Sequence, residues 1–117
     1  MQYGTGWPLA AALRQVNKAV SLSMVRLDCS AVEFGSPRDE RSMFSWATDI
    51  PGVEGWDRDQ LAVREEIPEE GLRELLALFH RYKIPMVQLQ QFESAQNKGW
   101  LRNPNSYWHR EMYEKEN

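Results

Sequence analysis

The stretch from Pro68 to Lys83 constrains the fold most, because it predicts an amphipathic helix that other elements must cover. Pro68 suits the first helical turn, and Pro85 prevents the helix from continuing. The apolar side chains in between recur at helical spacing and form one stripe: Leu72, Leu75, Leu76 and Phe79. The sequence therefore predicts a helix over residues 68–83 that packs on a core.

Two earlier stretches alternate between apolar and polar side chains, which is typical of strands with one buried face. They are residues 22–34 and residues 43–50. The polar stretch between them, residues 35–42, predicts the loop of an antiparallel hairpin. Residues 60–67 predict a third strand of the same sheet.

Residues 85–92 predict a further strand at a sheet edge, because three glutamines make it more polar than a central strand: Gln88, Gln90 and Gln91. Two more helices are expected at the ends of the chain. One covers residues 8–20, and the other begins at Pro104 with Asn103 as its N-cap. Residues 114–117 are expected to fray.

The predicted order is helix, strand, strand, strand, helix, strand, helix. This order favours the α+β class, with an antiparallel sheet of three to four strands and helices packed mainly on one face. A length of 117 residues fits one domain, covering residues 1–117.

The composition indicates a globular protein and the compartment in which it is expected. A hydrophobic fraction of 42% and a charged fraction of 26% are ordinary for a globular protein. No apolar run approaches the roughly 20 residues that span a bilayer. A single cysteine excludes a disulfide framework within the chain and fits a reducing compartment. A cytoplasmic protein without membrane association is expected.

The formal net charge of −3 is concentrated in residues 49–74, which hold nine acids and three bases. This segment, the acidic belt, is expected to repel phosphate and to attract a basic protein surface. Trp56 lies within the belt among glycine and aspartates, where core packing is less natural. The predicted partner surface consists of Glu54, Trp56, Asp57 and Asp59, with Glu65 and Glu66 adjoining.

The sequence predicts no metal ligand, cofactor or catalytic residue. A calcium loop that begins at Asp57 fails, because leucine and alanine stand where an oxygen ligand and a glycine are needed. One cysteine and two histidines without paired spacing do not make a zinc site. Cys29 lies mid-strand among apolar residues, which predicts a small buried hydrophobe rather than a nucleophile.

A second candidate surface lies in the tail, residues 97–113, where aromatic residues alternate with cations. Its members are Trp100, Arg102, Trp108 and Arg110. Aromatic rings beside cations suit single-stranded nucleic acid. The same residues also fit a terminal helix that packs on the sheet, a peptide groove or a self-association surface.

The function that these patterns favour is a non-catalytic protein-binding module. It would be an inhibitor, immunity or escort type of protein, of phage or bacterial origin, that masks a basic surface of a protein partner with the acidic belt. A homodimer through the glutamine-rich stretch or the terminal helix is an open option. The alternatives are a single-stranded nucleic-acid-binding module that uses the tail, and a small-ligand-binding protein or enzyme with a tryptophan-lined pocket.

Overall fold

The computed structural model describes residues 24–114, which form an α+β fold. Within this range the sheet has three strands, β1 (Met24–Asp28), β2 (Val53–Asp57) and β3 (Gln60–Arg64). They lie in the order β1-β3-β2, and both pairs are antiparallel. The predicted fold class and antiparallel sheet are confirmed. The predicted helix over residues 8–20 lies outside the described residues, as does most of the tail expected to fray.

The core side of the sheet is built from two rows of side chains that cross all three strands. Directly paired residues on neighbouring strands share a face of the sheet. The pairing therefore places these side chains together: Val25, Val63 and Val53 in one row, and Leu27, Leu61 and Trp56 in the other. All six belong to or pack against one hydrophobic core, which also takes in side chains from the helices.

A bulge at Glu54 decides which way β2 faces. Val53 pairs with Val63 and Gly55 pairs with Ala62, so Glu54 is the extra residue on its strand. Strict alternation would send the side chains at 53 and 56 to opposite faces, and the extra residue returns both to the core. Gly55 adopts a φ of 150°, which suits glycine at such an irregularity.

A tight turn joins β2 to β3 through two residues, since Asp57 pairs with Gln60. Arg58, the first loop residue, has a φ of 60°. A positive φ at this position is the geometry of the preferred hairpin turns, where glycine or asparagine is usual. For a residue with a side chain, the left-handed conformation costs about 1–2 kcal/mol.

A helix, α1 (Pro37–Asp49), lies between β1 and β2, so the predicted strand over residues 43–50 and the loop over 35–42 are wrong. Ser36 caps the helix, with its hydroxyl accepting from the Asp39 amide at 3.1 Å, and Pro37 occupies the first turn. The buried side chains follow helical spacing: Glu40, Met43, Phe44 and Ala47.

The helix predicted over residues 68–83 is confirmed as α2 (Glu69–Tyr82). The predicted stripe is buried. Lys83 closes the helix in the left-handed conformation, with a φ of 58°, and the next amide, that of Ile84, donates to the Phe79 carbonyl at 2.9 Å.

The start of α2 lies directly against the chain before β2. A Cβ added at Gly71 would overlap the carbonyl oxygen of Pro51. Gly71 therefore permits a helix-to-backbone approach that no other residue allows, and this approach fixes where α2 begins relative to β2 and β3.

The predicted edge strand over residues 85–92 is wrong, because Met86–Phe92 is a 3₁₀ helix. Its buried residues, Met86, Leu89 and Phe92, recur every third position, as a 3₁₀ helix requires. The side chain of Gln88 accepts from the Asp28 amide at 2.6 Å and donates to the Asp28 carbonyl at 2.9 Å. The glutamine thus occupies the outer edge of β1 in place of a further strand.

The C-terminal part of the described chain returns along α2. It contains a short helix, α3 (Lys98–Leu101), and a π-helical turn at Arg110–Glu114. The predicted helix start at Pro104 is wrong, because turns occupy that position. Among the helices in residues 24–114, none combines the length and apolar character needed to cross a membrane.

We expect Gly71→Ala to destabilise the protein, although alanine is the better helix former by about 1 kcal/mol. The added methyl group meets backbone that cannot move aside cheaply, so a net loss of about 1–2 kcal/mol is expected in chemical denaturation. Gly99→Ala is the matched control, since an added Cβ there has nothing within 4 Å. Equal stability of the Gly71→Ala variant and the unmodified protein would contradict the close approach.

Candidate functional site

The six residues predicted to form the partner surface do not lie on one continuous surface. Glu54 forms an ion pair with Arg64 at 2.6 Å, and Asp57 forms one with Arg26 at 2.8 Å. These acids are therefore engaged within the sheet, and their charges are partly neutralised. Because residues 49–74 include β2 and β3, the acids of the acidic belt are distributed over different parts of the fold.

Trp56 is a core residue and not a contact residue, which corrects the sequence prediction. Its side chain is 1% exposed, and its ring meets that of Phe44 edge-on with 4.9 Å between centroids. The bulge at Glu54 turns this side chain inward, away from any partner. No partner can reach the Trp56 ring unless the core opens.

Asp59 lies at the end of the hairpin and is half-buried. Its backbone carbonyl accepts from the Cys29 amide at 3.0 Å, which extends the pairing of β1 beyond its last strand residue. The turn that carries Arg58 and Asp59 is therefore held firmly against β1.

Glu65 and Glu66, by contrast, lie beside a groove of about 410 Å³ at the start of α2. We call this feature the acidic groove. One wall is the connection from β3 to α2, the other is the loop that follows the 3₁₀ helix, and the groove is lined by Glu65, Glu66, Ile67, Glu69, Leu72, Ser94, Gln96 and Asn97.

The carboxylates of the acidic groove differ in their surroundings. Glu65 and Glu66 are exposed, and within residues 24–114 neither forms an ion pair. Glu69 is paired with Arg73 at 2.8 Å, one turn further along α2. The N-terminus of α2 adds only roughly half a positive charge. The groove therefore remains net negative.

The loop wall of the groove is held in place by hydrogen bonds. The Ser94 amide donates to the Asn97 side chain at 2.8 Å, and the Asn97 amide donates to the Ser94 hydroxyl at 3.3 Å. The Asn97 side chain also donates to the Phe92 carbonyl at 2.8 Å. The wall is thus set before any ligand arrives, which lowers the entropy cost of binding.

Chemically, the lining of the groove combines free carboxylates with apolar side chains. Leu72 is buried and Ile67 is half-buried. A lysine or arginine side chain matches this arrangement, because its methylene stem packs on apolar surface while its charged head meets carboxylates.

The second candidate surface, in the tail, is largely occupied by its own contacts. Trp108 is 8% exposed, and its indole N–H donates to the Leu101 carbonyl at 2.8 Å. Its ring contacts those of Trp100 and Tyr107 edge-on, at 6.0 and 5.0 Å. The Arg73 guanidinium lies 3.9 Å from the Trp100 ring centroid. Trp108 therefore presents no open face for stacking on a base.

The two cations of the second surface also differ. Arg102 donates to Glu93 at 2.7 Å, and this bond lowers the pKa of the Glu93 carboxyl. Burial, together with a hydrogen bond to Glu93, raises the pKa of Tyr113 to about 12. Arg110 is exposed. Arg102 thus belongs to a local cluster that ties the C-terminal turn to the loop after the 3₁₀ helix.

Cys29 has no exposed area, as the sequence predicted for a small buried hydrophobe. Burial raises the pKa of its thiol to about 12, and the nearby carboxylates of Asp28 and Asp59 add to the shift. In the described part of the chain, no group of three or more potential metal ligands comes together.

We compared the chain with protein-family models, with curated proteins and with solved structures, and none of them matches.

The sequence prediction included Glu65 and Glu66 but none of the other residues that line the acidic groove. On one side of the groove, the four glutamates between residues 65 and 70 indicate an acidic surface in the sequence itself. The far wall has no such signal, because Asn97 lies some thirty positions away and reaches the groove only through the path of the 3₁₀ helix. Local patterns do not report such a contact.

We expect Trp56→Ala to destabilise the fold by about 3–5 kcal/mol, because it removes a large buried ring from the core. Chemical denaturation measures this loss directly. A change below about 1 kcal/mol would show that the ring is not packed as described.

We also expect the Cys29 thiol to resist labelling in the folded protein at pH 8, since the thiolate is the reactive species and its pKa is about 12. A colorimetric disulfide reagent should label it only after denaturant is added. Rapid labelling without denaturant would place the thiol at the surface and contradict its burial.

Proposed function

We propose that this protein is a cytoplasmic, non-catalytic binding module that receives a basic segment of a protein partner in the acidic groove. It would act by covering that segment, as an inhibitor, immunity or escort protein does. The observation that carries the proposal is that the free carboxylates of Glu65 and Glu66 line the same groove as the half-buried apolar side chain of Ile67.

Electrostatics supports a basic partner over nucleic acid. Three carboxylates line the groove and only that of Glu69 is paired with an arginine, so the groove attracts cations and repels phosphate. Such a charge pattern accelerates encounter with a basic surface and selects against acidic ones. The tail provides fewer accessible rings and free cations for nucleic acid than its sequence predicted, since Trp108 is buried and Arg102 is paired.

The size of the groove supports a side chain or short segment rather than a metabolite held on all sides. About 410 Å³ lies at the low end of ligand pockets, and the carboxylates at its edge are exposed. One or two anchoring lysines or arginines would fill it. A larger contact area would then form around that anchor, as at other interfaces with a central hot spot.

We expect a short oligolysine peptide to bind in the acidic groove, while a length-matched oligoglutamate does not. Amide chemical shifts in two-dimensional NMR should move at Glu66, Ile67, Leu72 and Asn97, and remain fixed at the far end of α2. Raising the salt concentration should weaken binding, because exposed charges are screened.

The decisive variant is Glu65→Gln/Glu66→Gln, for which we expect about tenfold weaker peptide binding, since two exposed charge contacts are lost. Glu33→Gln/Asp49→Asn makes the same change of charge at exposed acids outside the groove, and should bind normally. Equal weakening in both variants would mean that net charge, and not the groove, attracts the peptide. That result would overturn the proposed site.

A further inference from the structure

One end of the core carries aliphatic side chains that are only half-buried. The row of Val25, Val63 and Val53 crosses the core side of the sheet, yet only Val63 is buried, while Val25 and Val53 at its two ends are half-buried. Ile67 lies beside this row, because a Cβ added at Gly52 would stand 2.7 Å from its side chain. Ile67 is half-buried as well. We call Val25, Val53 and Ile67 the apolar ledge.

The apolar ledge lies at the end of the sheet where the described part of the chain begins. β1 starts at Met24, which pairs with Arg64 of β3. The helix predicted over residues 8–20 leaves only residues 21–23 as its connection to β1. The four Cα-to-Cα steps of that connection reach at most about 14 Å. A helix that ends at residue 20 is therefore confined to this end of the sheet.

The sequence of the predicted helix supplies a matching apolar surface. Leu9, Leu13, Val16 and Val20 recur at helical spacing and form one stripe. A helix of this length is marginal in water by itself, so its stripe needs an apolar surface on which to pack. The apolar ledge offers such a surface at the point of attachment.

Charge also favours this segment as the occupant. Residues 1–23 contain no acid, and their charged side chains are those of Arg14 and Lys18. The net negative acidic groove begins at Glu65, one residue after the strand position that pairs with Met24. A segment that carries only cations is attracted to this end of the sheet, whereas an acidic segment would be repelled.

We propose that residues 8–20 form a helix whose apolar stripe packs on the apolar ledge of its own chain. The short connection favours this contact over docking on a second copy, because it creates a high effective concentration. Ile67 belongs both to the ledge and to the lining of the acidic groove, so the docked helix covers part of that groove. A basic partner then has to displace the helix. This regulation rests on the proposed function, whereas the docking itself does not.

Paramagnetic broadening in NMR tests the docking. A nitroxide is attached to Gln15→Cys, on the side of the predicted helix away from the stripe, and Cys29 stays unmodified because its thiol is buried. We expect the amide signals of Val25, Val53 and Ile67 to broaden strongly, while those at the far end of α2 remain sharp.

A mixed sample is the control for this experiment. Isotope-labelled protein without a nitroxide is combined with nitroxide-labelled protein without the isotope, and no broadening is expected, since the contact lies within one chain. Broadening in the mixture would make a second copy the occupant. Sharp signals from the apolar ledge in the doubly labelled chain would exclude docking. Either result would overturn the inference.

Leu13→Asp tests the consequence for the acidic groove. Ala11→Asp is the matched control, because it adds the same charge on the side of the helix away from the stripe. We expect Leu13→Asp to bind oligolysine about tenfold more tightly than Ala11→Asp, since no docked helix has to leave first. Equal binding by the two variants would overturn the regulation and leave the proposed function intact. If neither variant binds oligolysine, the proposed function and the regulation fail together, and the broadening experiment still decides on docking.

Discussion

The structure depends on one extra residue in β2. The bulge at Glu54 restores the side chain of Trp56 to the core side of the sheet, where it completes a row with Leu61 and Leu27. Without it, a tryptophan would face outward and the core would lose its largest buried side chain. The acids of the belt are separated as well, because Asp57 and Glu54 on β2 pair with arginines on β1 and β3, while Glu65 forms no ion pair within residues 24–114.

A second constraint lies at the start of α2, beside the acidic groove. Gly71 lets the first turn of α2 touch the backbone at Pro51, and the glutamates of the β3–α2 connection line one groove with the loop at Asn97. Leu72 belongs to the stripe that holds α2 on the core and also lines the groove.

Sequence patterns predicted α2 and the third strand because each element has one buried face, which makes its apolar residues recur at regular spacing. The fold class followed from these elements. They failed where the apolar residues of one stretch fit both the two-residue repeat of a strand and the repeat of a helix. Phe44, Trp46 and Ile50 alternate like a strand, yet the capping pattern at Ser36 and Pro37 initiates a helix, and this signal is legible in the sequence. The bulge and the far wall of the groove could not be predicted from local sequence patterns, because both depend on contacts between segments that are distant in the chain.

The most direct test of the acidic groove uses the protein as bait in nuclease-treated lysate of its host, with captured proteins identified by mass spectrometry. Three baits are compared: the unmodified chain, Glu65→Gln/Glu66→Gln, and the charge-matched Glu33→Gln/Asp49→Asn. We expect one basic protein in stoichiometric amount on the first and third baits and its loss from the second. Retention of that protein by Glu65→Gln/Glu66→Gln, or capture that depends on intact nucleic acid, would contradict binding of a basic protein in the acidic groove.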